Sequence, residues 1–162
     1  RMGQKLKVGA FKKYSAANGS TNALGSNIIF SIVPKNEKEL WLGTRLGGLN
    51  LFSKTTEKFL AFKNKQGDSS SLSNNDILSL GFDKKGKLWI GTSYGLSTLE
   101  SFDGSSPKFK NYSVNDGLPN NTIHGILADR NNNLWISTNF GLSAFNADRD
   151  KFTNYVKSKY IF

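Results

Sequence analysis

The sequence predicts an all-β protein that contains three copies of one four-stranded antiparallel unit. A short motif around tryptophan occurs three times, and the 16 glycines and 3 prolines suit short strands joined by tight turns. No stretch of useful length shows the 3.6-residue apolar period of a helix. Repeats of about 40–50 residues that each carry a tryptophan and a glycine are typical of β-propeller blades. The chain is therefore predicted to form three blades of an incomplete or larger propeller.

The repeated motif is a Leu-Trp-aliphatic segment followed by a small residue and threonine. Its tryptophans, Trp41, Trp89 and Trp135, lie 48 and 46 residues apart. An asparagine stands 14 residues before each tryptophan, and an isoleucine follows each asparagine by two. These residues are Asn27, Asn75 and Asn121, with Ile29, Ile77 and Ile123. Agreement of three copies at this many positions establishes an internal repeat.

Four strands are predicted in each copy. The first strand ends in a polar turn, the second carries the tryptophan motif, the third begins at a Gly-Leu pair, and the fourth carries two aromatic residues three positions apart. The first strands are predicted over 28–34, 77–83 and 123–129.

The whole chain, residues 1–162, is predicted to form a partial propeller, and the point at which the repeat starts in the chain sets the bounds of its blades. Residues 6–14 resemble the fourth strand of a preceding blade, because Phe11 and Tyr14 match the aromatic pair of the first copy. Whole blades are predicted over 27–62, 75–112 and 121–155. Three blades are too few to close a ring, which typically takes about 4–8 blades, so exposed sheet edges are expected.

A blade sheet is covered by neighbours on both faces, which predicts a continuous apolar tryptophan strand. The three tryptophans are expected in equivalent buried positions, with their indole N–H groups donating to neighbouring carbonyl groups. The motif glycines are Gly43, Gly91, Gly95 and Gly141, and the first two are expected to allow close approach of an adjacent backbone. Ser137 stands where the third copy would carry the equivalent of Gly43, and this small change is expected to cost little.

Composition narrows the class of protein further. The hydrophobic content of 37% is sufficient for a packed core. The absence of cysteine excludes disulfides and thiolate metal sites. The longest apolar run, about 27–33, is far shorter than the roughly 20 residues needed to span a bilayer.

The net charge of +10 is distributed unevenly. Residues 1–65 carry a net charge of +9, and residues 66–162 carry +1. The basic residues are scattered, whereas nucleic-acid binding needs a clustered basic stripe with interleaved aromatic residues. No nucleic-acid partner is therefore expected. Solubilising surface lysines explain the charge, and an acidic glycan is slightly favoured over a neutral one as a ligand.

The pattern of the second copy, from Asn75 to Leu96, resembles the two-component regulator propeller repeat. This resemblance extends from about Phe11 to Tyr155 and is weakest in the first copy, where Lys35 replaces the aspartate of the polar turn. That family forms the periplasmic sensor region of hybrid two-component histidine kinases. The resemblance implies a parent protein with further blades, a membrane span and cytoplasmic kinase domains. It also implies that this segment is periplasmic, as part of the ectodomain of an inner-membrane protein.

No constellation of residues supports catalysis, and no cofactor or metal site is predicted. The only histidine, His124, has no evident base or metal partner, and Asp83 and Asp129 occupy equivalent turns of different copies. Binding is better supported. The loops between the second and third strands contribute Arg45, Tyr94 and Phe140, whose side chains are suited to an acidic group or a sugar ring. These three residues and His124 are the candidate ligand contacts.

The sequence therefore favours a sensor segment that detects an oligosaccharide and signals to a kinase. Two alternatives remain open, a scaffold or dimerisation propeller without a ligand and part of a propeller lyase. The expected partners are the oligosaccharide and the remaining blades of the parent protein, with a membrane involved only through that parent. Self-association is expected if the chain is isolated, because apolar sheet faces would be exposed at both ends.

Overall fold

The computed structural model describes residues 11–16 and 22–156, and within these ranges all regular structure except one turn is β-strand. The strands of the first sheet are β1 (Ile29–Pro34), β2 (Glu39–Thr44), β3 (Gly48–Ser53) and β4 (Phe59–Phe62). The second sheet consists of β5 (Ile77–Phe82), β6 (Leu88–Thr92), β7 (Gly95–Phe102) and β8 (Pro107–Tyr112). The third contains β9 (Ile123–Ala128), β10 (Asn133–Thr138), β11 (Gly141–Asn146) and β12 (Lys151–Tyr155). A 3-10 turn, Val114–Asp116, follows β8.

Each sheet is an antiparallel meander in which consecutive strands are neighbours. The prediction of an all-β fold with four-stranded antiparallel blades is confirmed. We call the three sheets the first, second and third blade. Strands β1, β5 and β9 of neighbouring blades contact one another, which makes them the inner strands.

The strand predicted over residues 6–14 falls partly outside the described residues, and residues 11–16 form no regular strand. The packing at this position nevertheless follows the repeat. The ring of Tyr14 lies edge-on to Phe52 at 5.0 Å and to Phe59 at 5.9 Å. Tyr112 makes the same contacts with Phe145 and Phe152 between the second and third blades.

Each interface between blades is one hydrophobic cluster. Trp41, Leu49 and Leu51 of the first blade pack with residues of the second, and Trp89 and Leu96 of the second pack with residues of the third. Trp41 and Trp89 are therefore almost completely buried. Trp135 is only half-buried, because no blade packs beyond the third within the described residues. The prediction of equivalent burial thus holds for two tryptophans and was wrong for the third.

The indole partners also differ from the prediction. The indole N–H of Trp89 donates to the carboxylate of Asp83 at 3.2 Å, and that of Trp135 donates to Asp129 at 3.0 Å, so neither acceptor is a carbonyl group. In the first blade the aspartate is replaced by Lys35, whose ammonium group lies 5.9 Å from the centre of the Trp41 ring. In the first blade, the ammonium group of Lys35 thus contacts the tryptophan ring, whereas in the second blade the carboxylate of Asp83 binds the indole N–H.

The repeat asparagines fasten consecutive blades together. The side-chain oxygen of Asn75 accepts the backbone N–H of Asn64, just after the last strand of the first blade, at 2.7 Å. Asn121 accepts the N–H of Val114 at 2.9 Å in the same way. The main-chain carbonyl groups of the same asparagines accept the N–H groups of the turn glycines Gly48 and Gly95 in the preceding blade. The side-chain bond explains why asparagine recurs at this position, since the main-chain bond is open to any residue.

A threonine closes the turn between the second and third strands of every blade. The hydroxyl groups of Thr44, Thr92 and Thr138 donate to the carbonyl groups of the glycines that begin β3, β7 and β11, at 2.9, 2.8 and 2.9 Å. These glycines have positive φ angles, for example 118° at Gly95, and a Cβ there would lie 2.9 Å from the Tyr112 carbonyl oxygen. The Gly-Leu pair of the repeat therefore reflects both backbone conformation and space.

None of the described residues belongs to a helix with the length and apolarity that a membrane crossing requires.

Candidate functional site

The β2–β3, β6–β7 and β10–β11 turns lie at the same end of the blades as the segments that lead into β1, β5 and β9. We call this end the upper face. It is held together by main-chain bonds, since the N–H of Arg45 donates to Ile28 at 2.9 Å and that of Ser93 donates to Asp76 at 3.0 Å. In the first and second blades, the turn is thus fixed against the segment that enters the same blade.

The structure places Tyr94 and Phe140 at equivalent turn tips on the upper face, and both side chains are well exposed. Arg45 is also exposed, but it is equivalent to Ser93 and Asn139 rather than to the two aromatic residues. The residue of the first blade that corresponds to Tyr94 is Leu46, which is 67% exposed and has a φ of 58°. The sequence analysis groups Arg45 with Tyr94 and Phe140 as the variable residue after the repeat threonine, but Arg45 directly follows its threonine, whereas the two aromatic residues lie two positions after theirs.

His124 lies near the upper end of the inner strand β9 and is exposed. Its Nε2 atom is 2.6 Å from the side-chain oxygen of Asn139, which belongs to the turn that carries Phe140. The histidine and Phe140 therefore belong to one local cluster. Among the described residues, this cluster brings the histidine no carboxylate and no metal-ligating group.

Asp76 is a site residue that the sequence did not single out. It follows the repeat asparagine and begins the entry to β5, and its Oδ1 atom is buried without a hydrogen-bond donor among the described residues. Buried polar atoms are nearly always paired with protein, water or a ligand, so an unpaired carboxylate oxygen calls for a partner. The feature of the sequence that could have pointed to Asp76 is that its position differs in all three copies. The position holds Ile28 in the first copy and Thr122 in the third, between residues that otherwise repeat.

The turn that carries Tyr94 also reaches the next blade. The Thr122 hydroxyl donates to the Ser93 carbonyl group at 3.4 Å, and the Gly95 N–H donates to Asn121 at 2.7 Å. The segment that enters the third blade is therefore bonded to the Tyr94 turn, two residues before His124. A molecule that contacts both Tyr94 and His124 would bridge the junction between the second and third blades.

The opposite end of the same junction carries a charged groove of about 370 Å³. Lys110 pairs with Asp150 at 2.9 Å, and the Tyr112 hydroxyl donates to the same carboxylate at 2.8 Å. These contacts hold the pKa of Asp150 below its usual range, chiefly through the hydrogen bond from Lys110. Burial raises the pKa of Tyr112 to about 12. The carboxylate lies on a residue with a φ of 50°, in the turn between β11 and β12.

The same arrangement of side chains recurs two junctions earlier, where the segment before the first blade meets that blade. Lys12 and Tyr14 both bind Glu57, which has a φ of 57° in the turn between β3 and β4. We name the arrangement the Lys-Tyr-acid latch. Because its groups bond to one another across neighbouring blade elements, its role is structural. The groove that it lines is a weaker candidate for ligand binding than the upper face.

Two segments match the two component regulator propeller family, residues 71–94 and 117–140. Each begins close to the buried leucine before a repeat asparagine, Leu72 or Leu118, and ends at an upper-face tip, Tyr94 or Phe140. The first copy lies outside these segments, which agrees with its altered polar turn. No curated protein sequence is similar enough to the chain to count as a match.

Solved structures give the same assignment. The chain is similar to the extracellular domain of BT3049 from B. thetaiotaomicron, described as a hybrid two component system, with 28% identity and a TM-score of 0.73. That match covers 90% of this chain and 19% of the other. The extracellular domain of BT4673 from the same organism, described as a one component system, matches with 26% identity and a TM-score of 0.69 over 86% of this chain and 20% of the other. The chain thus spans about one fifth of the length of these extracellular domains.

Virginiamycin B lyase from Staphylococcus aureus is a more distant structural relative. It shares 14% identity and a TM-score of 0.56 over 86% of this chain and 43% of the lyase. A likeness at this level of identity shows the propeller fold alone. The chain is accordingly a propeller segment that resembles the extracellular regions of two-component sensors.

Proposed function

We propose that this chain, with its two component regulator propeller segments, belongs to the periplasmic sensor region of a hybrid two-component histidine kinase. In this proposal the segment has no catalytic role. It binds an oligosaccharide on its upper face, and the parent protein passes the resulting conformational signal to the kinase. The similarity to extracellular domains of such systems supports the context. The ligand class rests on the chemistry of the upper face.

The observation that carries the ligand class is the exposed ring of Tyr94 beside the half-buried carboxylate of Asp76, whose Oδ1 atom has no hydrogen-bond donor among the described residues. A sugar offers hydroxyl donors for a carboxylate and a C–H face for an aromatic ring. Tyr94 is 65% exposed and sits in the turn whose main chain bonds to Asp76. An apolar ring next to a convergent polar group is the usual composition of a small-ligand site.

The neighbouring blades extend this site. Phe140 and His124 supply a second ring and a polar group on the third blade, and Arg45 supplies a cation on the first. A guanidinium group can grip the carboxylate or sulfate of an acidic glycan with two parallel hydrogen bonds. We therefore include acidic as well as neutral oligosaccharides in the proposed ligand class.

The connection to signalling follows from the position of the site on a blade junction. A ligand that touches Tyr94 and His124 favours one relative arrangement of the second and third blades. Ligand binding shifts a conformational equilibrium only by its difference in affinity for the two states. Contacts that span a junction provide such a difference, whereas contacts within one rigid blade do not.

The test is a glycan array with neutral and sulfated oligosaccharides, followed by calorimetry and a product assay on the full ectodomain. Binding without turnover is the expected result. Turnover of a bound compound would instead support a propeller lyase. An absence of binding across the array would support a scaffold without a ligand and would overturn the proposal.

A further inference from the structure

Two cations on the upper face of the first blade, Arg45 and Lys63, have no acidic partner. Both residues are exposed, and neither forms an ion pair, although all 12 acidic residues of the chain lie within the described ranges. The ion pairs of the described residues are found instead at the opposite end of the blades. Their acids, each bonded to a lysine, lie in or near the turns there: Glu39, Glu57, Glu100, Asp148 and Asp150. We call Arg45 and Lys63 the cation pair.

The strand order of the first blade brings the cation pair together. Arg45 follows the end of β2, and Lys63 follows the end of β4, while β3 lies between these strands. Two strand spacings separate the two main chains by about 10 Å. The stem of Lys63 packs beside the turn that carries Arg45, because a Cβ on Gly48 would lie 3.1 Å from the Lys63 Cγ atom. Both side chains are long enough to converge on one group above β3.

The cation pair is particular to the first blade. At the positions of Arg45 and Lys63 the other two blades carry uncharged residues, which are Ser93 and Ser113 in the second blade and Asn139 and Val156 in the third. The second and third blades carry exposed rings at their turn tips instead. The upper face is therefore cationic on one blade and aromatic on the next two.

One short segment connects the cation pair to the Tyr94 turn. The side-chain oxygen of Asn75 accepts the N–H of Asn64, directly after the lysine, at 2.7 Å. The next residue, Asp76, accepts the N–H of Ser93 on its main-chain carbonyl group at 3.0 Å. Ser93 precedes Tyr94 in the turn. A ligand that crosses this segment therefore contacts the cation pair on one side and the Tyr94 ring on the other.

The charges around this segment leave the first blade with an excess of positive charge. Lys65 lies near Asp68, whose carboxylate accepts the hydroxyl and the N–H of Ser70 at 2.7 and 3.0 Å. The hydrogen bond from the Ser70 side chain is the main reason that the pKa of Asp68 is lowered, and the charge of Lys65 adds to it. The cation pair faces only the half-buried carboxylate of Asp76, so two cations stand against one anion.

We propose that the cation pair binds the sulfate or carboxylate group of an acidic oligosaccharide, and that a neighbouring sugar ring of the same ligand stacks on Tyr94. This inference rests on the proposed function and narrows its ligand class to acidic glycans. Arg45 binds the anionic group with two parallel hydrogen bonds, and Lys63 adds a second positive charge. Asp76 accepts a sugar hydroxyl and repels a second anionic group next to the ring.

Calorimetry on the full ectodomain with pairs of oligosaccharides that differ only in charge tests the proposal. An oligogalacturonide and its methyl ester test a carboxylate, and a sulfated galactan tetrasaccharide and its desulfated form test a sulfate. The acidic member of at least one pair is expected to bind at least about tenfold more tightly than the neutral member. This preference should shrink as NaCl is raised, because salt screens exposed charges.

Charge-removing variants assign the preference to the cation pair. Arg45→Gln and Lys63→Gln should each weaken binding of the acidic member about tenfold and leave the neutral member unchanged. Lys63→Arg keeps the charge and should bind like the unmodified protein. Lys108→Gln, which removes an exposed cation from β8, is the matched control and should also bind like the unmodified protein. Thermal melts establish that each variant is folded.

Two results separate this inference from the proposed function. Equal affinity of the unmodified ectodomain for both members of each pair, or unchanged affinity in both glutamine variants, would overturn the inference. The proposed function would still stand if neutral oligosaccharides bind and Tyr94→Ala weakens their binding. An absence of binding for every oligosaccharide would overturn both.

Discussion

The carboxylate of Asp83 joins a turn to the tryptophan of its blade. One oxygen accepts the backbone N–H groups of Lys85 and Lys87, each at 2.9 Å, and the other accepts the indole N–H of Trp89 at 3.2 Å. Asp83 is 94% buried, with a relative exposure of 6%. A single side chain thus sets the turn between the first two strands and the orientation of the ring that fills the next junction.

Removal of this carboxylate should destabilise the second blade. Asp83→Ala leaves the indole and two backbone N–H groups without their acceptor, and the free energy of unfolding is expected to fall by about 1–3 kcal/mol. Urea denaturation followed by tryptophan fluorescence measures the change. Lys35→Ala, at the equivalent position of the first blade, is the matched control. It loses a partly exposed ion pair with Glu39 and the cation–π contacts with the Trp41 and Phe102 rings, each expected to contribute about 1 kcal/mol or less, and it leaves no buried donor without an acceptor.

Equivalent leucines on covered and uncovered faces should respond differently to the same substitution. Leu96 is completely buried against the third blade, so Leu96→Ala is expected to cost about 2–5 kcal/mol of unfolding free energy. Leu142 has no covering blade among the described residues, and Leu142→Ala should cost less than about 1 kcal/mol. Chemical denaturation of the two variants compares them. Equal losses would contradict the conclusion that packing of the third blade against Leu96 stabilises the fold.

Acid should weaken the third blade through Asp129. Hydrogen bonds, first from the Asn133 side chain and then from main-chain groups and the Trp135 indole, lower the pKa of Asp129 to about 2. The unfolded value is about 3.9. A lowered folded pKa means that the carboxylate stabilises the fold above about pH 3.9 and loses this effect as the pH falls to about 2.

The variant Asp129→Asn isolates this contribution. Its amide group cannot lose a charge, and its N–H₂ group meets the indole donor, so it should be less stable than the unmodified chain at pH 7. The difference between the two proteins is expected to shrink as the pH falls from 4 to 2. Thermal melts across this pH range provide the measurement. A constant difference would show that Asp129 does not contribute through its charge.

The fold was predictable because its signals are local and recur. The tryptophan motif, the asparagines and the Gly-Leu pairs each mark the same position in the strands and turns of every blade, so three aligned copies predict three sheets. Contacts between side chains of different strands were harder to predict from the sequence. The bond from Trp89 to Asp83 and the cross-strand pairing of Ser137 with Gly125 depend on strand register, which residue spacing alone does not provide.

The candidate site was predictable only in part. Exposed turn tips such as Tyr94 follow from the position two residues after the repeat threonine, but in the first copy that position holds Leu46 rather than the predicted Arg45. Asp76 was missed because its side chain belongs to no recurring pattern. The feature that distinguishes it is a buried oxygen for which the described residues supply no hydrogen-bond donor, and only the three-dimensional structure shows this.

The most direct test of the proposed function is calorimetric titration of the best array oligosaccharide into the full ectodomain and its Tyr94→Ala, Asp76→Ala and Lys108→Ala variants. Loss of the ring should weaken binding about tenfold, and loss of the carboxylate should weaken it about 10- to 100-fold, since hydrogen bonds to charged groups contribute about 1.5–3 kcal/mol. Lys108→Ala should bind like the unmodified protein. Unchanged affinity in both the Tyr94 and Asp76 variants would contradict a ligand site on the upper face.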